Sequence, residues 1–294
     1  MSLPMTPDTT VVASSDAIES IQKMPILSVI HDDDDIELPA SSRPSTTTPK
    51  ILNNMTLKER DCLQQFKLRP VAKDIPDHYL MVFLMAKKLD MDKAAMLLAN
   101  NISLRKKLDI PFPMTKEFVN QDILQCQFSL SVEGISNDDG TSIGYMKPSN
   151  IVPSNYSLKD YIAYMMWITD QTCHYDYSIQ AHRSGLVLIV DLKHFSLWHH
   201  FDKRLTTQLE GKSLQNIFPG RIQSVYLLNP PFYLKALITL ARNFVKSKII
   251  SRIQIISNSA DIGEYLDAER ILCEYGGHLE YDYPSWFESL PKDY

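Results

Sequence analysis

Apolar positions between residues 56 and 108 recur at helical spacing. Thr56 and Glu59 form a candidate capping box, in which each side chain accepts a hydrogen bond from the other residue's backbone N–H. Asp90 or Asp92 can cap a later helix of the same region. We therefore predict a small all-α module over residues 51–113.

Beyond position 113 the pattern changes to short apolar runs separated by helical segments. Residues 185–191 form a nearly continuous apolar run, which is typical of a parallel strand covered on both faces. Further strands are predicted at 128–132 and 142–146 (as a hairpin), at 224–228 and at 252–256, with helices starting at Ser157, over 203–214, over 231–245 and near Asp261. This alternation predicts an α/β domain with parallel strands over residues 114–294.

The first fifty residues differ in composition from the rest of the chain. They are rich in Ser, Thr, Pro and Asp, and their eight acidic and three basic residues carry the whole formal net charge of −5. Such a segment cannot bury enough apolar surface to offset the entropy of ordering, so residues 1–50 are predicted to be a disordered tail. The tail could be a solvated leader, carry phosphorylation sites or bind a protein partner.

Positive charge is concentrated in residues 211–260, which contain seven Lys or Arg and neither Asp nor Glu. This asymmetry suggests an anionic partner, such as phosphate groups on a membrane surface or on RNA. Within this segment, the predicted helix over 231–245 has a broad apolar face and a purely basic polar side. It could be a buried core helix or a helix that touches a lipid surface.

Motifs for catalysis are absent from the sequence. The glycine-rich phosphate loops GxxxxGK[ST] and GxGxxG and the nucleophile elbow GxSxG do not occur. His194, His199 and His200 lack the spacing of a metal site and are interpreted as surface or helix-capping residues. Asp191 follows a central strand, and we interpret it as an acid that hydrogen-bonds the next loop. We expect neither an enzyme nor a metal site.

The cysteines and the N-terminal residues indicate the cellular compartment in which the protein is expected. Cys62, Cys126, Cys173 and Cys273 lie far apart without a CxxC pair, and the first ten residues do not read as a secretory signal. Apolar runs of about 18 residues, the length of a transmembrane helix, do not occur. Reduced thiols and a cytoplasmic location are therefore expected.

Five motifs follow one another along the chain, at residues 80–90, 184–195, 218–232, 248–253 and 274–277. The fourth begins with Lys-Ile-Ile-Ser-Arg, and the fifth is Glu-Tyr-Gly-Gly. In this order and at this spacing, the motifs resemble those of the CRAL-TRIO lipid-transfer family. Within the family, the sequence is most similar to the branch containing alpha-tocopherol transfer protein and retinaldehyde-binding protein.

The resemblance implies a lipid-binding domain with a mixed, largely parallel sheet, closed by a mobile gate helix and preceded by the helical module. It assigns gate-helix positions to Phe232, Leu234, Leu237, Ile238 and Phe244. It assigns the lining of a lipid cavity to Met165, Met166, Trp167, Leu186, Leu188, Val190, Leu214, Phe218 and Val225. Ordinary core packing remains the alternative for each of these cavity residues, because cavity lining and core are both apolar.

Members of this branch bind phosphoinositide head groups through a basic surface cluster. Lys87, Arg221, Lys248 and Arg252 match positions of that cluster, whereas Gln223 stands where the tocopherol protein has another arginine. The resemblance thus implies phosphoinositides as reversible membrane partners, and no nucleic-acid partner is expected.

The sequence therefore leads us to expect a non-enzymatic carrier. It would bind one hydrophobic ligand (tocopherol-like, retinoid-like or phospholipid-like), need no cofactor, and associate peripherally with membranes from the cytoplasm. The alternative is a lipid-sensing scaffold that recruits a protein partner, for which residues 1–50 are the candidate segment.

Overall fold

The computed structural model describes most of the chain between residues 50 and 285. The described residues are 50–127, 129–132, 142–171, 179–200, 202, 204, 216–234 and 251–285, with the backbone alone described for residues 50, 129–132 and 171. The predicted tail, apart from Lys50, lies outside them, as do the predicted helix over 203–214, apart from Arg204, and residues 235–245 of the predicted gate helix.

From residue 50 onward, three described α-helices form the N-terminal region: α1 (Leu57–Lys67), α2 (Asp77–Ala86) and α3 (Met91–Leu108). The predicted capping box is confirmed, because Glu59 N donates to Thr56 Oγ1 at 3.2 Å and Thr56 N donates to Glu59 Oε2 at 2.7 Å. Asp90, rather than Asp92, caps α3. Every residue of α2 after the first is buried, which makes this helix the centre of the region.

After the N-terminal region, the described residues include the α-helices α4 (Gln121–Gln125), α5 (Leu158–Gln171), α6 (Ile179–Ser184) and α7 (Leu197–His200). The predicted start of α5 is confirmed, because Asp160 N donates to Ser157 Oγ at 3.0 Å. The helix predicted near Asp261 is instead a six-residue 3₁₀ segment, Ser259–Glu264. Only Ile262 of this segment is buried, so it lacks the apolar face that stabilises an α-helix by packing.

Five strands form one sheet: β1 (Ser129–Val132), β2 (Ser142–Met146), β3 (Leu186–Asp191), β4 (Ile222–Leu228) and β5 (Ile253–Ile256). They lie in sequence order; β1 pairs antiparallel with β2, and the other neighbours are parallel. The predicted α/β class, with a mixed, largely parallel sheet and a helical N-terminal region, is confirmed. The boundaries at residues 50 and 113 remain predictions.

The two faces of the sheet carry separate apolar clusters. Leu186, Leu188 and Val190 project to one face, which we call the Leu188 face. Val187 and Ile189 project to the other, which we call the Tyr145 face because Tyr145 of β2 belongs to the same cluster. Both faces are therefore packed, as the continuous apolar run of β3 predicts.

Candidate functional site

Four of the predicted cavity residues lie together on the Leu188 face. Leu186, Leu188 and Val190 of β3 share an apolar cluster with Val225, the register partner of Leu188 on β4. On the opposite side of β3 from β4, Gly144 of the neighbouring strand β2 pairs with Leu188. A Cβ atom at Gly144 would lie 3.5 Å from Leu186 Cδ1 and 3.6 Å from Leu188 Cδ1. The row of side chains across this face is therefore interrupted at β2.

The other described cavity residues belong to a second apolar cluster, built around α5. They are Met165, Met166, Trp167 and Phe218. Met166 and Trp167 are fully buried, whereas Met165 is partly exposed. Met146, the last residue of β2, packs against both clusters and so joins them. Leu214 lies outside the described residues.

Two of the four predicted head-group residues lie at one edge of the sheet. Arg221 directly precedes β4, and Arg252 directly precedes the neighbouring strand β5. Because these strands are parallel, both arginines lie at the edge where the strands begin, which we call the amino edge. Arg252 Nη1 donates to Ile222 O at 3.1 Å, and Arg221 Nη1 donates to Arg183 O at 2.7 Å.

The remaining positions of the predicted basic cluster have a less direct relation to the amino edge. Lys87 is the C-cap of α2, which packs against α6, the helix that contains Arg183. Lys248 lies outside the described residues. Gln223 is exposed in a β-bulge: Leu186 pairs with Ile222 and Val187 with Ser224, so Gln223 is the extra residue.

The start of the predicted gate helix lies beside α7, near the edge where the strands end. Residues 232–234 are helical; Phe232 is 87% exposed, whereas Leu234 is buried at 1%. Tyr233 Oη donates to Phe195 O at 3.1 Å, and Trp198 of α7 is 86% exposed. Leu237, Ile238 and Phe244 lie outside the described residues.

Asp191 has the structural role that the sequence suggested. Its Oδ1 accepts from Lys193 N in the next loop and from Asn229 Nδ2, both at 2.9 Å, and its Oδ2 accepts from Tyr275 Oη at 3.2 Å. Burial, and then the negative charge of Asp191, raise the pKa of Tyr275, so the phenol remains a donor. The carboxylate therefore ties together the ends of β3 and β4 and the 3₁₀ segment Cys273–Tyr275.

His200 also has a structural partner. Its Nδ1 accepts from Ser196 N at 2.8 Å, and Ser196 directly precedes α7, so the ring caps the helix start as interpreted. Burial, and then the charge of His199, lower the pKa of His200. Across the described ranges, there is no group of three or more His, Cys, Asp or Glu residues that could hold a metal ion.

A cavity of about 160 Å³ lies away from the Leu188 face. Its walls include Tyr145, Lys147, Cys273 and Glu274, and a 2.7 Å salt bridge joins Lys147 to Glu274. Ligand pockets for molecules of drug size are usually roughly 300–1,000 Å³. This cavity is too small for a tocopherol-sized ligand.

Sequence reasoning missed two buried ion pairs that join the N-terminal helices to the rest of the fold. Arg183 Nη2 lies 2.6 Å from Glu59 Oε2, and Arg105 Nη2 lies 2.6 Å from Asp170 Oδ1, with all four side chains at most 4% exposed. Burial raises the pKa of Glu59, but bonding to Arg183 and Thr56 lowers it more, so the net shift is downward. The sequence pattern identified Glu59 only as a capping residue of α1.

The CRAL/TRIO domain matches residues 131–277, which is half of the chain. The chain belongs to the CRAL-TRIO family. A CRAL-TRIO domain-containing protein of Dictyostelium discoideum is 42% identical over 248 residues, covering 83% of this chain and 96% of the relative. The Homo sapiens protein named alpha-tocopherol transfer protein-like is 27% identical over 271 residues, covering 85% of this chain and 78% of its own.

Among solved structures, that of Sfh5 covers 75% of this chain and 87% of its own, with a TM-score of 0.47 and 15% sequence identity. The family is known for binding and transferring hydrophobic lipids, and its members are generally not enzymes. Within the described residues, no helix is both long and apolar enough to cross a bilayer.

Proposed function

We propose that this CRAL-TRIO chain carries one hydrophobic lipid molecule between membranes without changing it chemically. The observation that carries the proposal is the apolar Leu188 face, whose row of side chains is interrupted at Gly144. A lipid over this face would gain roughly 0.8 kcal/mol for each methylene removed from water. Its candidate classes are tocopherol-like, retinoid-like and phospholipid-like molecules, as for the branch that this sequence resembles.

We further propose that the carrier docks reversibly on phosphoinositide-containing membranes through Lys87, Arg221, Lys248 and Arg252. The position of Arg221 and Arg252 before adjacent parallel strands supports this proposal, because two guanidinium groups at one edge can share a phosphorylated head group. Guanidinium groups bind phosphate in bidentate, charge-assisted geometry. Gln223 contributes no charge there, so we expect this chain to prefer different phosphoinositides from those that the tocopherol protein prefers.

Two exposed aromatic side chains support contact with the apolar part of the membrane. Trp198 and Phe232 are 86% and 87% exposed, and the segments that bear them are joined by the hydrogen bond from Tyr233 to Phe195. Aromatic rings favour the boundary between lipid head groups and acyl chains, where their apolar surface is buried close to the hydrated head groups. Peripheral attachment would then combine charge with partial insertion.

The carrier proposal is tested by native mass spectrometry of gently purified full-length protein, together with mass spectrometry of its organic extract. One lipid per chain is the expected result, and its mass gives the ligand class. A protein that is empty and also takes up no lipid would refute the carrier proposal and favour the scaffold alternative.

The docking proposal is tested by joint replacement, Lys248→Ala with Arg252→Ala, in a vesicle-flotation assay. We expect this variant to lose binding to vesicles that contain phosphatidylinositol bisphosphate while keeping its internal lipid. The matched control is Lys106→Ala with Lys107→Ala, which removes the same charge from exposed positions at the end of α3. Unchanged vesicle binding by the first variant would remove the assignment of this cluster.

A further inference from the structure

Arg183, in the last turn of α6, holds the start of the N-terminal helices. Its Nε and Nη2 donate to the two carboxylate oxygens of Glu59 at 2.8 and 2.6 Å. Its Nη2 also donates to Asn54 O at 3.0 Å, and its Nη1 donates to Gln180 Oε1 at 3.2 Å. Because Arg183 and Glu59 are 6% and 2% exposed, water does not compete for these bonds. The guanidinium therefore fixes the end of α6 to the start of α1.

The backbone of the same segment holds Arg221 of the amino edge. The Arg183 carbonyl accepts from Arg221 Nη1 at 2.7 Å, and it belongs to a helix end, where carbonyls lack intrahelical donors. Leu186 N donates to Arg221 O at 2.8 Å. Gly185 has φ of 91°, and a Cβ there would lie 3.1 Å from Arg221 O. Residues 183–186 thus contact both the side chain and the backbone of Arg221.

We propose that the Glu59–Arg183 ion pair is a positioning element for phosphoinositide docking. It fixes the end of α6, and the Arg183 carbonyl in turn orients the Arg221 guanidinium before a head group arrives. A long side chain that is already ordered loses less entropy on binding, so its contact with phosphate contributes more affinity. Glu59 itself touches no lipid. This inference rests on the proposed function, because it requires that Arg221 binds phosphate.

Glu59→Gln is the variant that tests the positioning role. Glutamine can replace glutamate in a capping box, so the start of α1 is preserved while the ion pair is lost. We expect affinity for vesicles with phosphatidylinositol bisphosphate to fall about tenfold, the scale of one charge-assisted hydrogen bond. Internal lipid, measured by native mass spectrometry, should remain at wild-type occupancy.

Asp170→Asn is the matched control. It breaks the other buried ion pair, which joins α3 to α5 through Arg105 and lies in a network with Asn101 and Met114. A general loosening of the N-terminal helices would weaken vesicle binding in both variants. A positioning role weakens it in Glu59→Gln alone. In addition, Glu59→Gln should have no further effect in a protein that already carries Arg221→Gln, because the two changes then remove the same contribution.

A second measurement uses the wild-type protein and so does not depend on how the variants fold. Coupling between sites is reciprocal, so binding of bisphosphate vesicles should slow hydrogen exchange at residues 54–59. Unchanged exchange at saturation would overturn the inference, as would equal vesicle binding by wild type and Glu59→Gln. If wild type itself shows no preference for bisphosphate vesicles over phosphatidylserine vesicles, the docking proposal fails instead.

Discussion

Gly144 provides the sharpest test of where the lipid lies. In Gly144→Leu, the new Cβ would sit at ordinary contact distance, 3.5–3.7 Å, from the side chains of Leu186 and Leu188. The other three carbons would extend from there over the Leu188 face. If a lipid occupies that space, four added carbons displace about four methylene groups of ligand burial. At roughly 0.8 kcal/mol each, this amounts to about 3 kcal/mol, or about a hundredfold weaker binding.

The assay returns the lipid extracted from wild-type protein to delipidated variants and measures occupancy by native mass spectrometry, alongside thermal unfolding of the empty proteins. Gly144→Ala is the control, because it adds a single carbon at contact distance and should bind nearly as wild type does. We expect Gly144→Leu to lose lipid while the empty protein keeps its stability. If the space is ordinary core, overpacking would instead cost about 1–3 kcal/mol of stability. If Gly144→Leu loses this much stability and still binds lipid as wild type does, the lipid does not lie over the Leu188 face.

Three further predictions concern stability and membrane contact. Asp170→Asn should destabilise the protein by about 3–5 kcal/mol in urea unfolding, because Arg105 is left buried without its counter-charge; a cost below about 1 kcal/mol would contradict this reading. The pKa of Glu59 is lowered below 4.5 in the fold, so its stabilising contribution is complete above that pH and is lost as the pH falls through the folded value. The stability difference between wild type and Glu59→Gln should therefore shrink in acid, and a pH-independent difference would argue against an ionised Glu59. Trp198→Ser should weaken vesicle binding without changing lipid occupancy, and wild-type tryptophan emission should shift to the blue on vesicles; equal flotation of the variant would exclude Trp198 from the contact.

Features specified by neighbouring residues could be predicted from the sequence. The capping pairs Thr56–Glu59 and Ser157–Asp160 depend on a spacing of three residues, and the apolar run of β3 reports burial on both faces. The prediction of an α-helix near Asp261 was wrong. Asn258 caps a short 3₁₀ segment there, and an acidic residue in the first turn, Asp261, fits such a segment as well as it fits an α-helix. Local patterns thus identify starts of elements more securely than their lengths.

Contacts between distant residues could not be predicted in this way. Glu59 and Arg183 are 124 positions apart, and Arg105 and Asp170 are 65 apart, so spacing carries no signal of either pair. The candidate head-group residues came from the family resemblance. Only the parallel pairing of β4 with β5 explains why Arg221 and Arg252 lie at one edge.

The direction of the strands relates the two proposed membrane contacts to each other. Arg221 and Arg252 precede their strands, whereas Trp198 and Phe232 follow β3 and β4. The seven residues of β4 extend about 23 Å at the usual strand rise. A flat bilayer that touches both groups would run along the strands, so the strands would lie parallel to the membrane. Tyr233 packs in the cluster of the Leu188 face, so that face would be turned toward the bilayer and lipid would leave across it.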